Sequence, residues 1–211
     1  MLHHILKRLL ISIPLVMGVA CISFLLVHIA PGDYFDILKS NPEITAETIQ
    51  KYKEQYHLDK PVLTQFFYWI QNLAHGDFGY SFVRKAPVIT IVGQYAFNTL
   101  ILALTSMFLT WTIALPLGIW SALKHNKITD KTISFIALLC TSFPSFIIAI
   151  LLLVAASKIP GIPIGGMISI NYENFSWIEK IWDVVKHLLI PAIAITVLST
   201  ASLLRITRAN M

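Results

Sequence analysis

Four stretches of this chain, 9–32, 86–123, 132–157 and 187–204, are apolar and contain no Asp, Glu, Lys or Arg. A bilayer core takes about 20 apolar residues of helix. In lipid every backbone N–H and C=O must be paired internally, which a helix achieves within one segment. The runs therefore predict an all-α integral membrane protein. The composition agrees: 56% of residues are hydrophobic and 13% charged, against about 25% charged in ordinary soluble domains. Mean hydropathy is +0.71. These values exclude a disordered chain, a collagen-like chain and a disulfide scaffold, and they weigh against a soluble enzyme. Cys21 and Cys140 lie inside apolar runs and read as small hydrophobes.

The run 86–123 is too long for one span, so its core is placed at 97–123, with Pro87 to Tyr95 along the surface. The predicted spans are 9–30, 97–123, 132–156 and 187–204, the last being the shortest. The first continues past Cys21 to Ile29, beyond the roughly 7–15 apolar residues of a cleavable signal, and reads as a retained helix. Segments 1–8, 124–131 and 205–211 hold Lys7, Arg8, Lys124, Lys127, Lys131, Arg205 and Arg208 against one acid, Asp130. By the positive-inside rule these segments are cytoplasmic, and 31–96 and 157–186 face outward. The net charge of +5 is thus a topology signal. Its residues are scattered over short segments, so no nucleic-acid partner is expected.

The outer segment 31–96 is too long for a simple connection and is expected to fold. Ala30-Pro31-Gly32-Asp33 reads as a turn after the first span. Thr45 is a candidate N-cap with Glu47 in the first turn, opening a helix over 46–57 that Leu58-Asp59-Lys60-Pro61 ends. Val62, Leu63, Phe66, Phe67, Trp69, Ile70 and Leu73 then fall at helical spacing. Tyr68 and Trp69 suit a membrane interface, and packing against a neighbouring span suits them equally. Gly76-Asp77-Phe78-Gly79-Tyr80-Ser81 reads as a tight turn. No Gly-Lys-Ser/Thr follows it, so it is not a phosphate loop. In the second outer segment, Asn174-Phe175-Ser176 matches a glycosylation triplet of the kind that is common by chance.

No nucleophile arrangement stands out. The histidines, His3, His4, His28, His57, His75, His125 and His187, have no zinc-motif spacing. No catalytic residue, metal or cofactor is expected. The spans also lack the intramembrane charges typical of gradient-driven carriers, so energy is expected to enter through another subunit. Each span holds one proline: Pro14, Pro116, Pro144 and Pro191. These either bend the helices around a pathway or are prolines that bundles tolerate. Asn98, Thr105 and Thr112 recur every seven residues. Thr141, Ser142 and Ser145 flank Pro144, and Thr196, Ser199 and Thr200 sit on the fourth span. They either line a polar path or bond helix to helix.

In order and spacing, several short motifs resemble the B-type permease subunit of bacterial oligopeptide/dipeptide (peptide/nickel) ABC importers. They are Ile5-Leu6-Lys7-Arg8-Leu9, Ala30-Pro31-Gly32-Asp33, Leu58-Asp59-Lys60-Pro61 and Gly76 to Ser81. Asn98-Thr99-Leu100, Leu115-Pro116-Leu117-Gly118 and Phe143-Pro144-Ser145-Phe146 follow, then His187 to Ala192 and Leu204-Arg205-Ile206-Thr207-Arg208. The resemblance spans nearly the whole chain. It implies a type I importer permease of six transmembrane helices, of which four fall within this sequence, with the permease domain proper starting near residue 90. It also implies a homologous second permease, two cytoplasmic ATPases and an external solute-binding protein as partners. The sequence stops at Met211, ahead of the family's coupling loop and last two helices. The expectation is the N-terminal part of a longer peptide or nickel permease, or a truncated membrane protein that does not transport.

Overall fold

The computed structural model describes residues 2–32, 34–35 and 45–211. Asp33 of the first turn motif lies outside the described residues. The chain forms two compact units, Met1–Gly93 and Gln94–Met211.

In the first unit, helix α1 spans Leu2–Ile29, and nearly all its large apolar side chains are exposed, as lipid contact would require. Helix α2 spans Ala46–Gln55, two residues shorter than expected. Thr45 caps it, its hydroxyl accepting from the Thr48 N–H at 3.3 Å. The chain then turns through His57 at a φ of +56°. Helix α3 spans Val62–Ala74, with Pro61 as N-cap. A two-stranded antiparallel ribbon, β1 (Tyr80–Ser81) with β2 (Ala86–Pro87), closes the outer segment. Its core is aromatic: Phe82 meets Tyr34, Phe35, Tyr52, Tyr56 and Tyr80 at centroid distances of 5.0–6.0 Å. Trp69 packs on Phe24 of α1 at 6.0 Å, which favours span packing for that ring. Tyr68 instead stacks on His57 at 4.4 Å.

Helix α4 is continuous over Val88–Leu123. This corrects the expectation that Pro87 to Tyr95 would lie apart from a helix over 97–123. Proline is well tolerated just ahead of a helix because its missing N–H would be unpaired there anyway. The region expected as one span over 132–156, with Pro144 as a candidate bend, is two helices, α5 (Ile128–Ser142) and α6 (Ser145–Ser157), meeting at 95°. Phe143 is extended at φ −91°, ψ 136°, and Pro144 caps α6. Proline disfavours the helical region for the residue before it and cannot donate to the preceding turn. Pro14, Pro116 and Pro191 lie inside continuous helices. A 3-10 turn, Tyr172–Asn174, precedes helix α7.

Helix α7 spans Trp177–Asn210, starting ten residues before the expected 187. Ser176 opens it with a capping box. Glu179 accepts from the Ser176 N–H and hydroxyl, each at 2.8 Å. Helices α1, α4 and α7 are each long and apolar enough to cross a membrane, and α5 with α6 makes a fourth if the bent pair is one span. The molecule is an all-α membrane protein with a folded segment after its first long helix.

In the second unit, buried Ser106, Thr110, Ala114, Gly118 and Ser121 form one stripe on α4. Ala114, Ala137 of α5, and Ala201 and Leu204 of α7 form the core, with Cys140 packed against it. Small residues let helix backbones approach closely where the hydrophobic effect offers no drive between helices. At Gly118 the approach is closest: a Cβ there would lie 2.7 Å from Thr207 Cβ and 3.2 Å from Leu204 O.

Candidate functional site: a clasped helix end and a hydroxyl-lined groove

The segment 124–131 carries three lysines and one acid. Asn126 takes a φ of +63° there and starts the tight turn into α5. Asp130, in the first turn of α5, is buried to 1% exposure. A buried carboxylate is costly unless its lone pairs are filled, and these are. Oδ1 accepts from Ser121 Oγ at 2.6 Å, Arg208 Nε at 2.6 Å and Ser134 Oγ at 3.4 Å. Oδ2 accepts from the Asn126 N–H at 2.9 Å and Arg208 Nη2 at 2.8 Å. The Arg208 fork is bidentate, the geometry that binds a carboxylate most tightly. Asp130 lies in the charged segment, outside the apolar runs. The Arg208 hydrogen bonds, then that of Ser121, hold its carboxyl well below the usual carboxylate range. The clasp ties the end of α4, the 124–131 turn, the start of α5 and the last turn of α7 into one block.

A groove of about 580 Å³ runs between α4 and α7, lined by Thr99, Ser106, Thr110, Ser199 and Ser202 among apolar neighbours. Thr196, buried beside it, donates to the Ser106 carbonyl at 3.4 Å. The hydroxyls of Ser106, Thr110 and Thr200 have no partner among the described residues. Of the residues offered as a polar path, Ser199 lines this groove and Thr196 bonds across to α4. Asn98 and Thr105 are half-buried and do not line it. Thr112 is exposed, its hydroxyl donating to the Phe108 carbonyl at 2.8 Å. Ser142 and Ser145 sit on either side of the α5–α6 bend, and Ser142 donates to the Leu138 carbonyl.

The outer-segment motifs are turn formers. Lys60 and Leu58 present carbonyls to the Gln65 amide at 2.8 and 3.2 Å, and Asp59 pairs with Lys60 at 2.9 Å on the surface. Pro61 caps α3. Gly32 takes a φ of +93° just after Pro31. Asp77 Oδ1 accepts from the Gly79 N–H at 2.8 Å, and Ser81 Oγ accepts from the Arg84 N–H at 3.2 Å. Pro116 and Pro191 are exposed on α4 and α7, and Arg205 is exposed one turn before Arg208.

Sequence reasoning missed two buried aspartates. Asp130 appeared only as the lone acid among lysines, which was itself the available signal. Asp183 is 7% exposed and accepts from Ser169 N–H and Oγ at 2.8 and 2.5 Å, pinning the 158–176 loop to α7. His187 on the next turn places Nδ1 2.8 Å from the Asp183 carbonyl. Replacing Asp183 by alanine should speed amide exchange at Ser169 and its neighbours by hydrogen–deuterium mass spectrometry while α4 stays protected.

Residues 1–103 match the N-terminal family of binding-protein-dependent transport system membrane components. Residues 114–211 match the family "binding-protein-dependent transport system inner membrane component". The chain is 33% identical to the oligopeptide transport system permease protein AppB of Bacillus subtilis (strain 168), over all of this chain and 66% of that protein. It is 31% identical to the glutathione transport system permease protein GsiC of Escherichia coli (strain K12), over all of this chain and 64% of that one. The chain thus spans just under two thirds of the length of these relatives.

Proposed function

Because this chain belongs to the binding-protein-dependent transport system inner membrane component family, we propose that it works as a permease subunit of an ATP-driven peptide importer. The observation that carries this reading is the match to an oligopeptide and a glutathione permease along the whole chain. Its role is to supply part of the transmembrane pathway. A homologous second permease completes that pathway, two cytoplasmic ATPases supply ATP hydrolysis, and an external solute-binding protein delivers peptide. The N-terminus, the 124–131 turn and the Arg208 end of α7 lie on the cytoplasmic side of the bacterial inner membrane. The segment after α1 and the 158–176 loop lie outside. On this reading the Asp130–Arg208 clasp sits where force from the ATPases enters the helices.

Crosslinking in native membranes should recover this chain with a second permease and an ATPase subunit. A strain lacking the gene should lose ATP-dependent uptake of a labelled short peptide. Recovery of the chain alone would sink the subunit reading, and unchanged uptake would sink the peptide cargo.

Topology has its own test. With Cys21 and Cys140 replaced, a cysteine at exposed Ile170 should react with a membrane-impermeant maleimide in intact cells, and one at exposed Lys124 should not. The opposite pattern would invert the orientation. Arginine at Leu104 or Leu151, both exposed on apolar helices, should impair insertion by about 2.5–3.5 kcal/mol at a span centre. Glycosylation-site insertion assays read this directly, and normal insertion would remove those segments from the membrane.

A further inference from the structure

We infer that the cavity of the first unit binds an alkylammonium head group. This goes beyond the transport reading and does not rest on it. The cavity, about 670 Å³, takes six Phe, Tyr and Trp rings from the segment after α1: Tyr56, Tyr68, Trp69, Phe78, Tyr80 and Phe82. It carries one carboxylate, Asp77, and no Lys or Arg lines it. Ring faces present negative potential, so an aromatic wall attracts cations and above all alkylammonium groups, which are weakly hydrated. Asp77, exposed to solvent, sets the sign of the ligand: an anion would meet repulsion and a cation attraction. The volume falls in the range of small-molecule sites, about 300–1,000 Å³.

The wall is preformed. Tyr56 and Tyr80 lean on Phe82 at 5.0 and 6.0 Å, and Tyr68 stacks on His57. Asp77 is fixed from both sides: its N–H donates to the Asn72 carbonyl at 2.9 Å, and its Oδ1 accepts from the Gly79 N–H. Gly76 and Gly79 take φ values of +82° and +81°, the left-handed region where glycine is at ease. This turn sets Asp77 between the end of α3 and the ribbon. Its Oδ2 accepts no hydrogen bond from the described residues, which leaves an acceptor for an ammonium N–H or a nearby onium charge. Phe24 of α1 also lines the cavity, so a head group anchored in the bilayer and a dissolved amine are both possible sources of this one chemistry.

The test uses the full chain in phosphatidylglycerol nanodiscs. Choline is titrated against its uncharged isostere, in which carbon replaces the ammonium nitrogen, and binding is followed by saturation-transfer NMR. Choline should bind at least about tenfold more tightly than the isostere. Asp77→Asn keeps an acceptor for the Gly79 N–H and should reduce that preference severalfold, which separates the site from general attraction to the anionic lipid. Tyr68→Leu should weaken choline binding with Asp77 intact, and it decides the matter alone if Asp77→Asn fails to fold. Equal binding of the isostere, no saturable choline binding, or variants that bind like the parent would overturn the proposal. Phosphatidylcholine nanodiscs then assign the source. Loss of added-choline binding means that lipid head groups fill the site, and unchanged affinity means that it takes a soluble amine.

Discussion

Replacing Asp130 by alanine should cost the second unit most of its folded population in detergent, read as a large fall in the melting midpoint. The variant removes the acceptor for four side-chain donors and one backbone N–H, and strands Arg208, Ser121 and the Asn126 amide together. Removing one partner of a buried pair is far worse than replacing both. The double variant Asp130→Asn with Arg208→Gln should therefore be more stable than the sum of the two single changes predicts. Additive effects would show that the clasp is not a unit. The pH dependence has a defined sign. A carboxyl whose folded pKa lies below its unfolded value stabilises above the unfolded value and loses that contribution as pH falls toward the folded one. The unfolded value is about 3.9, so this contribution is flat through neutral pH and fades only in strong acid. A melting midpoint that dropped between pH 8 and pH 6, by contrast, would have to come from another group.

Gly118→Ala should be the most damaging single-methyl addition on α4. The new Cβ would sit 2.7 Å from Thr207 Cβ and 2.9 Å from its Cγ2, closer than packed carbons tolerate, and the obstacles are a β-carbon and a backbone carbonyl that cannot rotate away. Overpacking of this kind costs about 1–3 kcal/mol. Adding Thr207→Gly removes the facing carbons and should recover part of the loss, less about 1 kcal/mol for glycine within a helix. Thermal unfolding of the four-member cycle measures both terms. If Gly118→Ala melts like the parent, α4 and α7 are not in the contact described.

The long helices were legible because absence of charge over 18 or more residues is a strong, local signal. Helix ends were less so. The start of α7 at Trp177 was signalled by Ser176 and Glu179, a capping box at its usual spacing, in a stretch read instead as an outer loop. Proline alone could not locate the bend, since three of the four prolines sit in unbroken helices and only Pro144 breaks one. Local pattern gives no access to neighbours that decide whether a freed carbonyl finds a donor. Neither could it pair Asp130 with Arg208, 78 residues apart, or set Thr207 against Gly118. In the outer segment the motifs marked turns well, but the ring cluster around Phe82 gathers residues from 34 to 82 and has no sequence period.

The stripe on α4 has a consequence for how this chain can vary. Ser106, Thr110, Ala114 and Gly118 recur every fourth residue, and all four are buried. A saturation-mutagenesis map of α4 should show a comb: narrow intolerance to bulk at these four positions, with broad freedom among apolar residues at exposed Phe108, Trp111 and Leu115 between them. The same comb would leave α4 and α7 little room to slide past each other. Motion would then be confined to rotation of the pair as one rod, and to the joint at Pro144.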